Sequence, residues 1–223
     1  SSAVIISNHS DTAQQVRVRT THTIDPTDSR ETTLFSVAPN SAVVKKCVVS
    51  GMGSKTKPWT TSSPQLYEAK FSLEDKAGNV IDQLSTRFGI RSFVTDGPNF
   101  KLNGRKWFLK GASIYEEHPL RGGALKPEDH RDYFARLRDS KSNFARLHVI
   151  QRHPYAYQVA NETGIMVCGE WGGFWYKEKS MKAQTEDPQS IYQTMARGAV
   201  WDLMNHPSVV LWGLNNECHQ FCP

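Results

Sequence analysis

Val209-Val210-Leu211-Trp212-Gly213-Leu214, followed at once by Asn215-Asn216-Glu217, is the stretch on which the fold turns. An uncharged run with no polar alternation reads as a strand buried on both faces. Such strands belong to parallel sheets covered by helices. Just upstream, His206-Pro207 ends a helix that Pro188 opens, with Ile191, Met195, Ala199 and Leu203 along one face. The same grammar repeats towards the N-terminus. Ile165-Met166-Val167-Cys168 reads as a strand, and residues 155–162 as a short helix stopped by Gly164. Residues 143–149 read as another strand. Before it, Pro127 opens a helix with Tyr133, Phe134 and Leu137 at helical spacing, and Lys106-Trp107-Phe108-Leu109-Lys110-Gly111 reads as the first strand.

Strand–helix alternation of this length predicts about half of a (β/α)8 barrel over 91–223. An open Rossmann-like sheet is the alternative, but no Gly-rich phosphate loop follows any strand. Residues 1–90 follow different rules. Val16 and Val18 flank Arg17, Tyr67, Ala69, Phe71 and Leu73 alternate with polar residues, and Val43-Val44 and Val48-Val49 flank a polar patch. Turn signals such as Asp25-Pro26, Pro39-Asn40 and Ala77-Gly78-Asn79 separate these runs. Short alternating strands with such punctuation predict an immunoglobulin-like β-sandwich over 1–90. Nothing in it suggests chemistry.

In a barrel, chemistry sits at the C-terminal ends of the strands. Ser113 to Pro119, with Glu116, Glu117 and His118, follow the first strand. Arg146, His148 and His153 come with the second, Glu170, Trp171 and Trp175 with the third, and Asn215, Asn216 and Glu217 with the fourth. Carboxylates can move protons or attack an anomeric carbon, amides and Arg can hold hydroxyls, and Trp offers a flat apolar face to a sugar ring. A carboxylate just past an apolar strand is well placed for acid/base work if its pKa is raised. Each residue also has a plainer reading. Polar strand ends face water, Arg146 can simply pair with Glu170, His118 can be a turn residue, and the Trp residues can be core.

The chain has 223 residues and a net charge of +5, with 27 basic and 22 acidic residues interspersed. Dispersed charge makes no phosphate-tracking stripe, so no nucleic-acid partner is expected. No apolar run is long enough to span a bilayer, so no membrane partner is expected. Ser1 to Ile6 shows no basic segment followed by an apolar one. Cys168 reads as a buried core thiol. Cys218-His219-x-x-Cys222 places three donors together, where a closed zinc site takes about four, so neither metal nor cofactor is expected.

Residues 206–217 resemble the acid/base signature of glycoside hydrolase family 2. Other stretches agree in order: Pro58-Trp59, Pro64-Gln65-Leu66-Tyr67, Phe88-Gly89-Ile90-Arg91, Phe100-x-Leu102-Asn103-Gly104 with Phe108-Leu109-Lys110-Gly111, and Asn143-x-x-Arg146 followed by Tyr157 through Gly164-Ile165-x-Val167 and Glu170. The resemblance implies a retaining β-glycosidase acting on carbohydrate with two carboxylates about 5–5.5 Å apart. Glu217 would be the acid/base and Asn216 would bond a sugar 2-hydroxyl. Arg146 would support the nucleophile, with Glu170, Trp171 and the region of Glu116 lining the site. The family histidine's place falls to His148 or His153. Ser113, Tyr115 and Asn161 depart from the usual residues, which bears on sugar preference. The family's nucleophile stands on the seventh barrel strand, so it is expected to lie outside this chain. A half-barrel leaves open sheet edges, so the piece is expected to need a partner surface or to self-associate. A carbohydrate-binding or scaffold protein without catalysis is the second reading.

Overall fold

Turn residues cut the N-terminal part into short strands, and a computed structural model of the chain gives their pairing. It describes residues 2–47, 53, 56–115, 117–172, 188–214 and 216. Two compact units emerge: residues 1–57 with 67–88, and residues 58–66 with 89–223.

The first unit is all β. β1 (Ser2–Asn8) pairs antiparallel with β5 (Ser41–Cys47). A second antiparallel sheet holds β2 (Gln14–His22), β3 (Ser29–Glu31), β4 (Phe35–Val37), β6 (Tyr67–Asp75) and β7 (Val80–Phe88). Alternation places Val16, Val18, Ala69 and Phe71 on the face that meets Ile6, Val37 and Cys47, which closes the sandwich core. Val48 and Val49 lie outside the described residues.

The second unit begins with an antiparallel meander, β8 (Phe93–Asp96), β9 (Asn99–Leu102) and β10 (Arg105–Trp107). It continues with four parallel strands, β11 (Gly111–Ile114), β12 (Phe144–Leu147), β13 (Met166–Glu170) and β14 (Val209–Gly213), in sequence order. Helices α1 (Pro127–Asp139), α2 (Pro154–Thr163) and α3 (Pro188–Leu203) make the connections. The sheet does not close on itself, as befits part of a barrel. One strand differs from expectation. The run 106–111 is split between β10 and a connection, and the first parallel strand is β11. Trp107 and Leu109 pack into an apolar cluster instead, while Phe108 is 77% exposed.

Local signals explain the helices. Pro127 and Pro154 start α1 and α2 at positions where a missing N–H costs nothing. Asp129 accepts from Lys126 N at 2.7 Å, satisfying one free amide at the start of α1. Gly164 ends α2 at φ 74°, where a β-carbon would also stand 2.4 Å from the Thr61 carbonyl oxygen.

The parallel sheet has two different faces. Ala145, Leu147, Val167 and Val209 pack with Phe134, Tyr157, Val159 and Leu203 of the helices. On the opposite face, Phe144, Met166 and Val210 join Trp59, Leu102, Leu66, Phe93 and Trp107 in a second cluster beneath the strand N-termini. Trp59 is fully buried, with Nε1 donating to Asn161 O at 2.9 Å. Its peptide is held as well, by Ile90 O and Asn103 Nδ2. Arg91, whose burial pulls its guanidinium pKa down, donates to Pro207 O and Val209 O at the entry of β14. In α3, Ala199 and Leu203 are buried, but Ile191 and Met195 on the same stripe are 47% and 38% exposed. No helix among the described residues is long and apolar enough to cross a membrane.

Candidate active site

Strand alternation sends Phe144 into the lower cluster, so Arg146, two residues on, emerges on the same face one layer higher. Its register partners are Ser113 on β11 and Cys168 on β13. Glu170, the last residue of β13, forms the next layer opposite Gly213 of β14. The strands thus put an apolar floor beneath a polar C-terminal rim, the layering a barrel uses to place chemistry.

Arg146 organises the rim. Its Nε donates to Glu170 Oε1 at 2.5 Å, and its Nη2 donates to Asn216 Oδ1 at 2.7 Å. Glu170 and Asn216 are both buried. The bond to Glu170 raises the Arg146 pKa, against a smaller opposing effect of burial. His148 Nδ1 lies 3.6 Å from Glu170 Oε2. That is beyond hydrogen-bond reach. The Tyr115 ring meets the His148 ring edge-on at 4.8 Å between centroids. Trp171 is buried, and its ring lies 6.2 Å from that of Tyr192 on α3.

Arg146, Glu170, Asn216 and His148 therefore come together. His153 does not join them. It is exposed and caps α2, its Nδ1 accepting from Tyr155 N at 3.2 Å, and its ring stacks on His130. His118 sits in a turn closed by a bridge to Gly122, with Nε2 facing Asp129 at 3.7 Å. Glu116, Trp175, Asn215, Glu217, Cys218, His219 and Cys222 lie outside the described residues. Cys168 is half-buried on the polar face rather than in the helix-side core. Burial, then the Glu170 charge, pushes its thiol up to about 11. Two contributors were not singled out from sequence: Gly213, whose lack of a side chain leaves room for Glu170, and Tyr115 as the ring against His148. Among the described residues, no group of three His, Cys, Asp or Glu is arranged to hold a metal.

A β-sandwich unit and an open parallel sheet with a carboxylate–guanidinium–amide rim define a segment of a multidomain barrel protein. Comparison with known proteins sharpens this. The profile of "Glycosyl hydrolases family 2" matches residues 2–91, and that of "Glycosyl hydrolases family 2, TIM barrel domain" matches residues 93–222. The chain belongs to glycosyl hydrolase family 2, a family of glycosidases. A β-galactosidase of Alteromonas mediterranea is 30% identical over 73% of this chain, and a β-glucuronidase of Paenibacillus borealis is 31% identical over 73%. The chain spans 16% and 28% of the lengths of those two enzymes. Among solved structures, the family 2 β-galacturonidase of Eisenbergiella tayi bound to galacturonate superposes with a TM-score of 0.81 at 23% identity. That match covers 97% of this chain and 38% of the other. The Bacteroides uniformis β-glucuronidase gives 0.80 at 20% identity, covering 95% and 25%. At these identities the structural likeness shows the fold.

Proposed function

We propose that this chain is the part of a retaining β-glycosidase that supplies the general acid/base, Glu217, and the residues that organise the ground around it. The observation that carries the reading is the Arg146–Asn216 bond. It ties the residue immediately before Glu217 to the polar rim, among a buried carboxylate and an imidazole. Family membership adds that the named relatives are β-galactosidases and β-glucuronidases.

In the proposed reaction Glu217 protonates the departing glycosidic oxygen. A second carboxylate attacks the anomeric carbon from the other face, and Glu217 then takes a proton from the water that releases the sugar. Arg146 serves the second carboxylate or the sugar, Asn216 offers its amide to a ring hydroxyl, and Trp171, His148 and the segment of Glu116 line the pocket. Glu170, held by Arg146 at the rim, is given no part in the attack and lines the site. In this reading the attacking carboxylate is not one of the residues named here, and the 223 residues alone are expected not to turn over. The substrate is a β-linked sugar, bound without cofactor or metal.

Leaving-group dependence tests the acid/base role. In a longer protein that includes this segment, Glu217→Gln should slow methyl β-glycosides far more than dinitrophenyl β-glycosides, because a dinitrophenolate departs without a proton. Equal losses on both would sink the assignment. Hydrolysis of nitrophenyl β-glycosides by the present chain would show that its own residues supply a nucleophile.

A further inference from the structure

Asn103-Gly104 is the chain's one Asn-Gly pair. It forms the two-residue turn between β9 and β10, closed by the pairing of Leu102 with Arg105. Both residues take positive φ, 50° and 78°, as this tight hairpin turn requires. Asn-Gly is also the dipeptide most open to self-attack, because no side chain on glycine shields its amide nitrogen. In that reaction the Gly104 nitrogen bonds to Asn103 Cγ, the Cγ–Nδ2 bond breaks, and ammonia leaves with the amide proton. Water then opens the succinimide ring at either carbonyl. One opening gives aspartate; the other gives isoaspartate, with the backbone rerouted through the side chain.

The fold holds this carboxamide at both ends. Its Nδ2 donates to Trp59 O at 2.9 Å, and its Oδ1 accepts from Ser92 N at 2.9 Å. The Asn103 backbone N–H donates to Ser92 O, also at 2.9 Å. Swinging Cγ onto the Gly104 nitrogen breaks both side-chain bonds. Gly104 itself is exposed, so the protection lies in those bonds and not in burial of the attacking nitrogen.

We propose that Asn103 is a deamidation site held shut by the backbones of Trp59 and Ser92, and released only when the floor of the barrel unit opens. The conversion runs one way. Aspartate puts a carboxylate oxygen where Trp59 O needs a donor, and isoaspartate adds a backbone carbon to a turn built for two residues. A chain modified while open therefore closes less well.

Hydroxylamine provides the test, because it attacks the succinimide and splits the chain between Asn103 and Gly104. The full chain is incubated with hydroxylamine at pH 9 across a urea series, and the two fragments are counted on a gel. Cleavage of the folded chain is expected to be at least about tenfold slower than that of the unfolded chain, since the reactive form is then a minor open one. The rate should rise along the same urea curve as tryptophan fluorescence. Equal rates in the folded and unfolded chain would overturn the proposal, and so would full-speed cleavage below the onset of that curve. Asn103→Gly suits the positive φ but has no carboxamide. It should resist hydroxylamine and lower the urea midpoint by about 0.5–1.5 M. Asn103→Asp, the product itself, should lower the midpoint at least as far. An unmoved midpoint in either variant would show that the carboxamide latches nothing, and would overturn the proposal too. If neither variant folds, the rates measured on the unaltered chain decide.

Discussion

Replacing Asn161 by Leu should remove a polar knot while keeping the branched shape of the side chain. Asn161 is buried in α2, and its Nδ2 lies 2.8 Å from His206 Nδ1. Its Oδ1 accepts from Ser208 N at 3.2 Å and from Ser208 Oγ at 2.7 Å. With Leu in place, the fully buried Ser208 N–H and hydroxyl and the His206 nitrogen all lose this partner. A buried group left unsatisfied costs about 1–3 kcal/mol, so the loss is about 2–6 kcal/mol for the two nitrogens, the hydroxyl being able to rotate. With a urea slope of about 2 kcal/mol per molar, the midpoint of the barrel unit should fall by about 1–3 M, followed by tryptophan fluorescence at pH 7.5. The same site sets a pH dependence. Burial lowers the His206 pKa below its ordinary 6.5. As pH drops through 6.5 the unfolded chain takes up a proton before the folded one does. Stability is therefore flat above that value and declines below it, by at most about 1.4 kcal/mol per pH unit from this one group. His206→Asn keeps an acceptor for Asn161 but binds no proton, and should flatten the decline between pH 7 and pH 5. An unchanged urea midpoint in Asn161→Leu, or an unchanged pH slope in His206→Asn, would refute this account.

Three further outcomes are expected. Trp59→Ala empties the floor of the parallel sheet and strands the Asn161 carbonyl, and should cost about 3–5 kcal/mol in denaturant unfolding. Cys168, with its thiol near 11, should react with iodoacetamide at pH 7.5 at a small fraction of the rate of a free cysteine, and the rate should climb steadily to pH 10. The exposed Trp201, Met204 and Leu214, and the edges of β11 and β14 that pair with no further strand among the described residues, should drive self-association, visible by sedimentation velocity as a weight that rises with concentration. A clean monomer at high concentration would contradict it.

The helices and the last three parallel strands were legible because Pro127, Pro188 and Gly164 punctuate them and their apolar content is high. The first parallel strand was not. Trp107 and Leu109 look like strand interior, yet they serve the lower cluster, while β11 itself is Gly-Ala-Ser-Ile and carries little hydrophobic signal. An apolar run such as residues 165–168 does not say which face each residue takes, so Cys168 looked like core and emerged on the rim. His153 sits one residue from a proline, and its position as a helix cap outweighed its proximity to Arg146 in sequence. The Arg146–Asn216 bond spans 70 residues of chain. No local pattern encodes such a pairing. It follows only from register, once four strands are set side by side.

Residues 58–66 belong with the barrel unit although strands of the sandwich come before and after them in the chain. The polypeptide therefore passes between the two units three times, near residues 57, 67 and 89. A single genetic crossover anywhere in this region would hand one unit a piece of the other. A barrel inherited from residue 89 onward would arrive without Trp59, the residue that fills its own floor. Modules threaded in this way travel together: sandwich and barrel should be gained, lost and exchanged among relatives as one heritable block.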